Sequence, residues 1–145
     1  MTFDEINEEW SRDCIMNQVA LDSEALKIPS LHAKWWRIMN EERKELRNIS
    51  ATAESMEKVL EDYYSRTMSA SEMEKYGFRE LPEKKVLKPD MAKTISIHPK
   101  MVTIKLKMGG QRDKVEYIQD ILKSVHGRSF AIRDAIEFRK FQAGN

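Results

Sequence analysis

The sequence predicts a mainly α-helical fold that is dominated by one long amphipathic helix. Between residues 31 and 63, ten side chains recur at steps of three or four, which is the spacing of one helix face. No Gly or Pro interrupts the chain from Ser30 to Arg66, and only five Gly and four Pro occur in 145 residues, which disfavours an all-β sandwich. The ten positions are Leu31, Trp35, Ile38, Glu42, Leu46, Ile49, Ala53, Met56, Leu60 and Tyr63.

This stripe is too long for a compact monomer. A helix from Ser30 to Arg66 would span about 50 Å, and nine of its ten stripe positions, all but Glu42, are suited to burial. Uninterrupted patterns longer than about 25 residues indicate a helical hairpin, a coiled coil or an oligomer. We therefore expect the chain to self-associate.

The N-terminal residues predict a short helix over 3–12. Thr2 and Glu5 have the spacing of a capping box, and Phe3, Ile6 and Trp10 fall on one face. Farther along, Pro29 should begin or kink the long helix because it lacks an amide donor.

The middle of the chain is harder to assign. Residues 67–93 look irregular and predict a mobile basic loop, whereas the alternating apolar residues of 94–108 favour two short strands with Pro99 at the bend. The alternative is a helix that begins after Pro99 and faces inward through Met101, Ile104, Lys105 and Met108. Gly109-Gly110 should end either element.

Two helices are expected at the C-terminal end, over 111–125 and 130–142, with Gly127 ending the first and Ser129 capping the second. The second helix is apolar on several sides, so we expect it to pack against more than one neighbour and to hold an oligomer together. The predicted oligomerisation residues are Phe130, Ile132, Ile136, Phe138 and Phe141.

The charge is divided along the chain. Residues 1–83 hold 11 Lys/Arg and 18 Asp/Glu, whereas residues 84–145 hold 14 and 6. A half this basic can bind a polyanion, and the acidic half can contact a basic partner. We therefore divide the chain into an acidic helical region (1–66), a basic flexible loop (67–93) and a basic C-terminal region (94–145).

Several classes of protein are disfavoured. No apolar run reaches the 18 or so residues of a membrane span, and the acidic N-terminus lacks the apolar region of a signal peptide. Cys14 and three scattered His form neither a disulfide nor a zinc site, which favours a soluble, intracellular protein without a metal or other cofactor. The Gly-Gly turn at 109–110 lacks the ending of a phosphate loop. No nucleophile lies at a catalytic spacing from a His, so an enzyme is not expected.

Aromatic residues lie among cations at two places on the long helix. Trp35-Trp36 stands among Lys and Arg, and adjacent helix positions point about 100° apart, so one Trp can be buried while the other is exposed. Lys58, Tyr63, Tyr64 and Arg66 repeat the combination at the end of the helix. Rings that stack on bases beside cations that follow phosphates are typical of single-stranded nucleic-acid binding.

Several short motifs occur in an order that a known family shares. They are Lys34-Trp35, Lys58 followed by Asp62-Tyr63-Tyr64-Ser65, Arg128-Ser129-Phe130-Ala131-Ile132-Arg133, Arg139, Phe141 and Ala143-Gly144. In these motifs the chain resembles the UvsY family, the recombination mediator proteins of T-even-type bacteriophages. The resemblance runs from the N-terminus to about Ser65 and again over the C-terminal end, whereas 67–110 aligns poorly.

The resemblance implies a protein that is not an enzyme and acts in the cytoplasm of the infected bacterial host. It implies a ring-like or open-barrel oligomer of hexamer or heptamer size, assembled through the C-terminal helix. Such an oligomer binds single-stranded DNA, helps displace the phage single-strand-binding protein, and loads the RecA-like recombinase UvsX in homologous recombination and DNA repair.

The DNA-binding motif of the family, Lys-Ala-Arg-Leu, falls on residues 58–61. Lys58 matches, but Leu60 stands at the position of the arginine, and Arg66 or the later basic residues can compensate. We expect phosphate contacts from these cations and stacking on bases by Tyr63 or Tyr64, unless Tyr63 only completes the buried stripe. The predicted phosphate contacts are Lys58, Arg66, Lys84, Lys85 and Lys88.

A second interpretation is an oligomeric coiled-coil scaffold or phage adaptor without DNA binding. It explains the long helix and the self-association. It leaves the strongly basic half of the chain without a role.

Overall fold

Five helices make up the part of the chain that the structure describes. The computed structural model describes residues 1–144, and none of these residues forms a strand. None of the helices in this part of the chain combines the length and the apolar character of a membrane span. The helices are α1 (Phe3–Asp13), α2 (Leu21–Tyr64), α3 (Ala70–Tyr76), α4 (Lys88–Ser96) and α5 (Pro99–Gln142).

Helix α1 confirms the predicted N-terminal helix and its capping box. The Thr2 amide donates to a Glu5 carboxylate oxygen at 2.7 Å, and the Glu5 amide donates to the Thr2 hydroxyl at 3.1 Å. Ile6 on the inner face is fully buried. Two amide donors at the start of the helix are thereby satisfied.

Helix α2 confirms the long stripe, although it begins at Leu21 and contains Pro29. All ten stripe residues are buried or half-buried, and they include Glu42, which the pattern alone does not mark for burial. The Glu42 carboxylate lies 2.9 Å from the Met1 amino group and 3.4 Å from Lys114 Nζ. A buried carboxylate is tolerated here because cations accompany it.

The predicted β-hairpin over 94–108 is wrong, since α4 and α5 occupy these residues. The helical alternative describes them better, since Met101 is buried and Ile104 and Met108 are half-buried, although Lys105, its fourth inward residue, is exposed. Leu106, which the strand pattern would place beside Ile104 on one face, is 73% exposed.

The predicted breaks at Gly109-Gly110 and at Gly127-Ser129 are also wrong, because α5 is continuous through both. A Gly inside a helix costs about 0.5–1 kcal/mol relative to Ala, which burial of the inward face outweighs. That face keeps steps of three or four residues past both places. Its members, all buried or half-buried, are Met101, Ile104, Met108, Gln111, Val115, Ile118, Leu122, Val125, Arg128 and Ile132.

The segment 67–93 is not irregular throughout. It contains α3, whose N-cap Ser69 accepts a hydrogen bond from the Glu72 amide at 3.3 Å, and α4 begins within it. Helix α3 ends at Gly77, which has a φ of 75°, a conformation that glycine adopts without strain.

The chain forms two compact units. The first consists of residues 1–44 and 112–145, and the second of residues 45–111, so the divisions fall inside α2 and α5. The core of the first unit is made by Ile6, Trp35, Ile38, Met39, Ile118, Ile121, Leu122 and Val125. The core of the second unit is made by Ala53, Leu60, Ile95 and Met101.

A network of polar contacts joins α1 to α2 in the first unit. Lys34 Nζ lies 2.6 Å from an Asp13 carboxylate oxygen and 2.8 Å from a Glu9 oxygen, and Trp35 Nε1–H donates to Asp13 at 2.9 Å. Burial alone would lower the pKa of Lys34, but the hydrogen bonds to Asp13 and Glu9 outweigh it and raise that pKa. Lys34 and Trp35 of the family motif therefore hold the fold together.

Helix α5 joins the same network through Arg128, another motif residue. Its guanidinium donates to the Asp13 carbonyl, lies 5.9 Å from the centre of the Trp10 ring, and approaches a Glu24 carboxylate oxygen at 4.0 Å. Arg128 and Glu24 are 5% and 3% exposed. Because both charges are buried, removal of Glu24 would leave the Arg128 guanidinium without that carboxylate, whereas Glu24 would still pair with Lys27 at 2.8 Å if Arg128 were removed.

We predict that this network makes the protein sensitive to acid. The hydrogen bond from Lys34 lowers the pKa of Glu9 below 4.5, and the hydrogen bond from Lys27 does the same for Glu24. A lowered pKa in the folded state means that the contribution to stability is present above about pH 4.5 and is lost as the pH falls through the folded pKa. Melting temperatures between pH 7 and pH 3 should therefore fall steeply below about pH 4.5.

Glu9→Gln should lower the melting temperature at pH 7 and flatten the fall in acid. The matched control is Glu8→Gln, since Glu8 is exposed and has no ion pair within residues 1–144. Glu8→Gln should keep the wild-type profile. Identical profiles for the two variants would contradict the prediction.

Candidate nucleic-acid interface

All seven residues predicted to bind DNA lie in the second unit. They fall on the last turns of α2 and on the segment that leads into α4. These residues are Lys58, Tyr63, Tyr64, Arg66, Lys84, Lys85 and Lys88.

The end of α2 makes a sharp turn at Arg66. This residue has a φ of 60°, and its amide donates to the Tyr63 carbonyl at 3.1 Å, while the Thr67 amide donates to the Asp62 carbonyl at 3.0 Å. These bonds satisfy carbonyl groups that the end of a helix otherwise leaves open. The chain leaves α2 there in a fixed direction.

The segment 80–86, which carries Lys84 and Lys85, is tied back onto the end of α2. Two of the predicted DNA-binding residues make these contacts with their side chains, so at least part of their role is structural. The three hydrogen bonds run from the Tyr63 hydroxyl to the Glu80 carbonyl (3.0 Å), from Arg66 Nη1 to the Glu83 carbonyl (3.2 Å), and from the Val86 amide to the Tyr64 carbonyl (3.0 Å).

Both tyrosines belong to an aromatic cluster, which we define as Tyr63, Tyr64, Phe78 and His98. Tyr63 stacks on Phe78 with 4.1 Å between ring centres, and Tyr64 meets His98 edge-on at 6.2 Å. Burial, with a smaller effect of Tyr63, raises the pKa of Tyr64, and burial with the nearby Lys100 lowers the pKa of His98. The rings thus contact one another in the manner of a packed cluster.

The sequence pattern missed three residues of this region. Phe78 and His98 complete the aromatic cluster, and Lys100 Nζ lies 5.7 Å from the centre of the Phe78 ring. No motif marks them, because they come from a loop and from the start of α5, far along the chain from Tyr63.

Lys58 lies at a cleft of about 320 Å³ between α2 and α3. Lys75, which the sequence pattern also missed, lines the same cleft, as do the carboxylates of Asp62 and Glu72. The cleft therefore has mixed charge, and a phosphate there would meet two cations and two anions.

The lysines beyond residue 83 form the most basic stretch. Residues 84–111 contain seven Lys and a single carboxylate, Asp90. Lys84, Lys85 and Lys88 are exposed, and within residues 1–144 none of them, nor Lys58, has an ion pair. These charges are available to an anionic ligand. Among residues 1–144, no group of three or more His, Cys, Asp or Glu could hold a metal ion.

The sequence and fold of the chain agree with one protein family. A sequence model of the family described as "Recombination, repair and ssDNA binding protein UvsY" matches residues 9–145. The chain belongs to the UvsY family. The "Recombination protein uvsY" of Enterobacteria phage T4 is 23% identical over 146 residues, which cover 99% of this chain and 99% of that protein.

Crystal structures of the bacteriophage T4 recombination mediator protein UvsY share the fold. Lattice type II superposes with a TM-score of 0.84 at 22% identity, covering 99% of this chain and 98% of that one. Lattice type IV gives 0.83 at 20% identity, with coverages of 97% and 99%. The match of this UvsY-family chain thus extends through residues 67–110, where the motifs alone align poorly. Membership of the family assigns the chain a role in phage recombination and repair.

The predicted oligomerisation residues of this UvsY-family chain differ in exposure. Ile132 is 4% exposed and packs inside the first unit, so its side chain is already occupied. The other four side chains are exposed along the last turns of α5. Their exposed fractions are 53% for Phe130, 38% for Ile136, 60% for Phe138 and 78% for Phe141.

We predict a structural effect for Tyr63. Tyr63→Ala removes the stack on Phe78 and the hydrogen bond to Glu80, which should lower the free energy of unfolding by about 2–3 kcal/mol. Tyr63→Phe keeps the stack and should lose only about 1 kcal/mol. Urea titrations followed by circular dichroism measure both values. Equal stabilities for Tyr63→Ala and wild type would contradict the packed role.

Proposed function

We propose that this chain is a recombination mediator that binds single-stranded DNA through the second unit. It helps displace the phage single-strand-binding protein and loads a RecA-like, UvsX-type recombinase in the cytoplasm of the infected bacterial host. The observation that supports DNA binding best is the stretch 84–111, which has seven lysines and one carboxylate, and in which Lys84, Lys85 and Lys88 make no ion pair with any residue of 1–144.

In this proposal the cations contact phosphates and the tyrosines order the surface that presents them. Lys58, Lys84, Lys85 and Lys88 supply charge at the end of α2 and on the segment tied to it. Arg66 supplies a further charge and, like Tyr63, holds that segment in place. Each neutralised phosphate on a single strand changes the slope of log K against log salt by about −0.7.

Self-association is the second part of the proposal. The chain would assemble as a ring-like oligomer of hexamer or heptamer size through the exposed apolar residues at the end of α5. Repetition of a weak cationic site around such an oligomer raises the affinity for one long strand, because each further contact is intramolecular. A wrapped strand could then be released from the single-strand-binding protein and passed to the recombinase.

Fluorescence anisotropy of a labelled oligonucleotide across a salt series tests DNA binding. For Lys84→Ala/Lys85→Ala/Lys88→Ala we expect weaker binding to every sequence and a slope that is shallower by about 2 units. The matched control removes three exposed cations of the first unit that have no ion pair within residues 1–144, as Arg37→Ala/Lys44→Ala/Lys140→Ala, and should keep the wild-type slope.

Two outcomes would overturn the assignment. If the wild-type protein assembles but shows no salt-dependent binding, the chain is an oligomeric scaffold or adaptor. If it binds and both triple variants lose the same slope, the charge of the whole protein, and not the second unit, carries the affinity.

A further inference from the structure

A groove of about 400 Å³ opens on the first unit, between α2 and α5. His32, Trp36 and Arg43 line it from α2, and Lys123 and His126 line it from α5. The α2 residues lie four and then seven positions apart, and the α5 residues lie three apart, so each set occupies one helix face. None of the seven predicted DNA-binding residues is in this unit.

The aromatic side of the groove is a half-exposed tryptophan. Trp36 is 47% exposed, whereas its neighbour Trp35 is fully buried. The His32 ring is nearly parallel to Trp36, with an interplanar angle of 9° and 6.3 Å between centres. Met39 and Leu122, both buried, supply an apolar floor. A flat apolar ligand would find rings and an apolar surface together.

The charged side of the groove is cationic only. No Asp or Glu is among the residues that line it. Arg43 has no ion pair within residues 1–144, and Lys123 pairs at 3.2 Å with Asp120, where both side chains are more than 70% exposed. An ion pair this exposed contributes little and can be exchanged for a phosphate.

We propose that this groove binds an unpaired base of single-stranded DNA, with Trp36 stacking on the base while Arg43 and Lys123 contact the flanking phosphates. The inference rests on the proposed function and adds a base contact on the first unit to the phosphate contacts of the second. A flat ring beside cations on both walls fits a ligand that is planar and anionic at once. A nucleotide is such a ligand, whereas an acidic peptide needs only the cations.

The test uses the full-length protein, oligothymidylate and the emission of tryptophan. Bound bases should quench the tryptophan emission of the wild-type protein. Most of this quenching should come from Trp36, because Trp35 is fully buried and Trp10 is half-buried. Trp36→Phe should therefore lose most of it. Trp36→Ala should weaken binding by about 5- to 150-fold without a change in salt slope. Trp36→Phe should recover part of that affinity.

Arg43 and its neighbour offer a matched pair of cations. Arg43→Ala should make the salt slope shallower by about 0.7, whereas Lys44→Ala, one position along α2 and outside the groove, should leave it unchanged. Melting temperatures near the wild-type value would show that these variants are folded.

The outcomes separate the two proposals. If Trp36→Ala binds oligothymidylate like the wild type while Lys84→Ala/Lys85→Ala/Lys88→Ala binds weakly, the groove inference is wrong and the proposed function stands. If oligoglutamate quenches Trp36 and oligothymidylate does not, the groove is a site for an acidic peptide and the inference is also overturned. A wild-type protein that does not bind the oligonucleotide at all overturns both.

Discussion

If the chain assembles as proposed, Phe130→Ser/Phe141→Ser should convert the oligomer into monomers or small species and lower the proposed affinity for a long single strand by about 10²–10⁴-fold. Burial of one large apolar side chain contributes about 1.5–3 kcal/mol, so the loss of two at every subunit boundary removes about 3–6 kcal/mol of association free energy. Both rings are more than half exposed in the single chain, so the substitution should not disturb its fold. Analytical ultracentrifugation measures the assembly, and anisotropy measures the binding.

The matched control is Phe130→Leu/Phe141→Leu, which keeps an apolar surface at both positions and should keep the assembly. Binding of a short oligonucleotide should hardly change in either variant, because a short strand contacts few subunits. If the serine variant keeps the wild-type mass, the end of α5 does not hold the oligomer together.

Point substitutions test this better than truncation after Gly127. Truncation would remove Arg128, whose guanidinium reaches Asp13 and Glu24, and Ile132, which is buried in the first unit. A truncated chain would lose both fold and assembly, and a smaller mass would then have two explanations. Substitutions at the exposed Phe130 and Phe141 change the surface for assembly and leave the buried contacts of the fold in place.

The sequence predicts those elements whose local chemistry and periodicity agree. The Thr2–Glu5 capping box marks the start of α1, and the stripe from Leu31 to Tyr63 marks most of α2. In each case the hydrogen-bonding residues or the apolar residues have the spacing of one helix turn. The separate environments of Trp35 and Trp36 follow from the same geometry, since adjacent helix positions point about 100° apart.

The prediction failed over 94–110, the expected hairpin and the Gly-Gly break after it, because local pattern and tertiary packing disagree there. Apolar residues at 102, 104, 106 and 108 alternate like a strand, yet only 104 and 108, one helical turn apart, are half-buried. The helical stripe passes from Met108 through Gln111 to Val115, and the polar residue at 111 hides its continuity from a pattern of apolar residues. The pair Gly109-Gly110 lowers the local stability of the helix. Tertiary packing outweighs this cost, and that packing cannot be seen in a short stretch of sequence.

The cations of the candidate site can be predicted from the sequence, whereas the role of its tyrosines cannot. Exposed lysines are visible in the sequence because charged residues are rarely buried. Tyrosine beside lysine has two explanations, since a ring can stack on a base or on another ring, and only the contact of Tyr63 with Phe78 decides between them here. Lys75 and Lys100 reach the region from other helices, and their positions depend on tertiary structure.

Trp35→Ala should lower the free energy of unfolding by about 3–5 kcal/mol, the usual range for a fully buried Trp or Phe. Trp35 is 0% exposed, its ring meets Trp10 edge-on at 5.8 Å, and its Nε1–H donates to Asp13. Against a typical total of about 5–15 kcal/mol, this is a large fraction of the stability. For a chain of this size the melting temperature should fall by about 6–20 °C.

The adjacent tryptophan is the matched control. Trp36→Ala removes a side chain of the same chemistry from the same helix, but this side chain is 47% exposed, so the melting temperature should change little. Trp35→Phe should give an intermediate loss, because it keeps one ring in the core but removes the second ring of the indole and the donor to Asp13, whose carboxylate still pairs with Lys34. Far-UV circular dichroism follows all three variants without depending on tryptophan emission. If Trp35→Ala and Trp36→Ala melted at the same temperature, the division of the pair between core and surface would be wrong, and the groove at Trp36 would lose its basis.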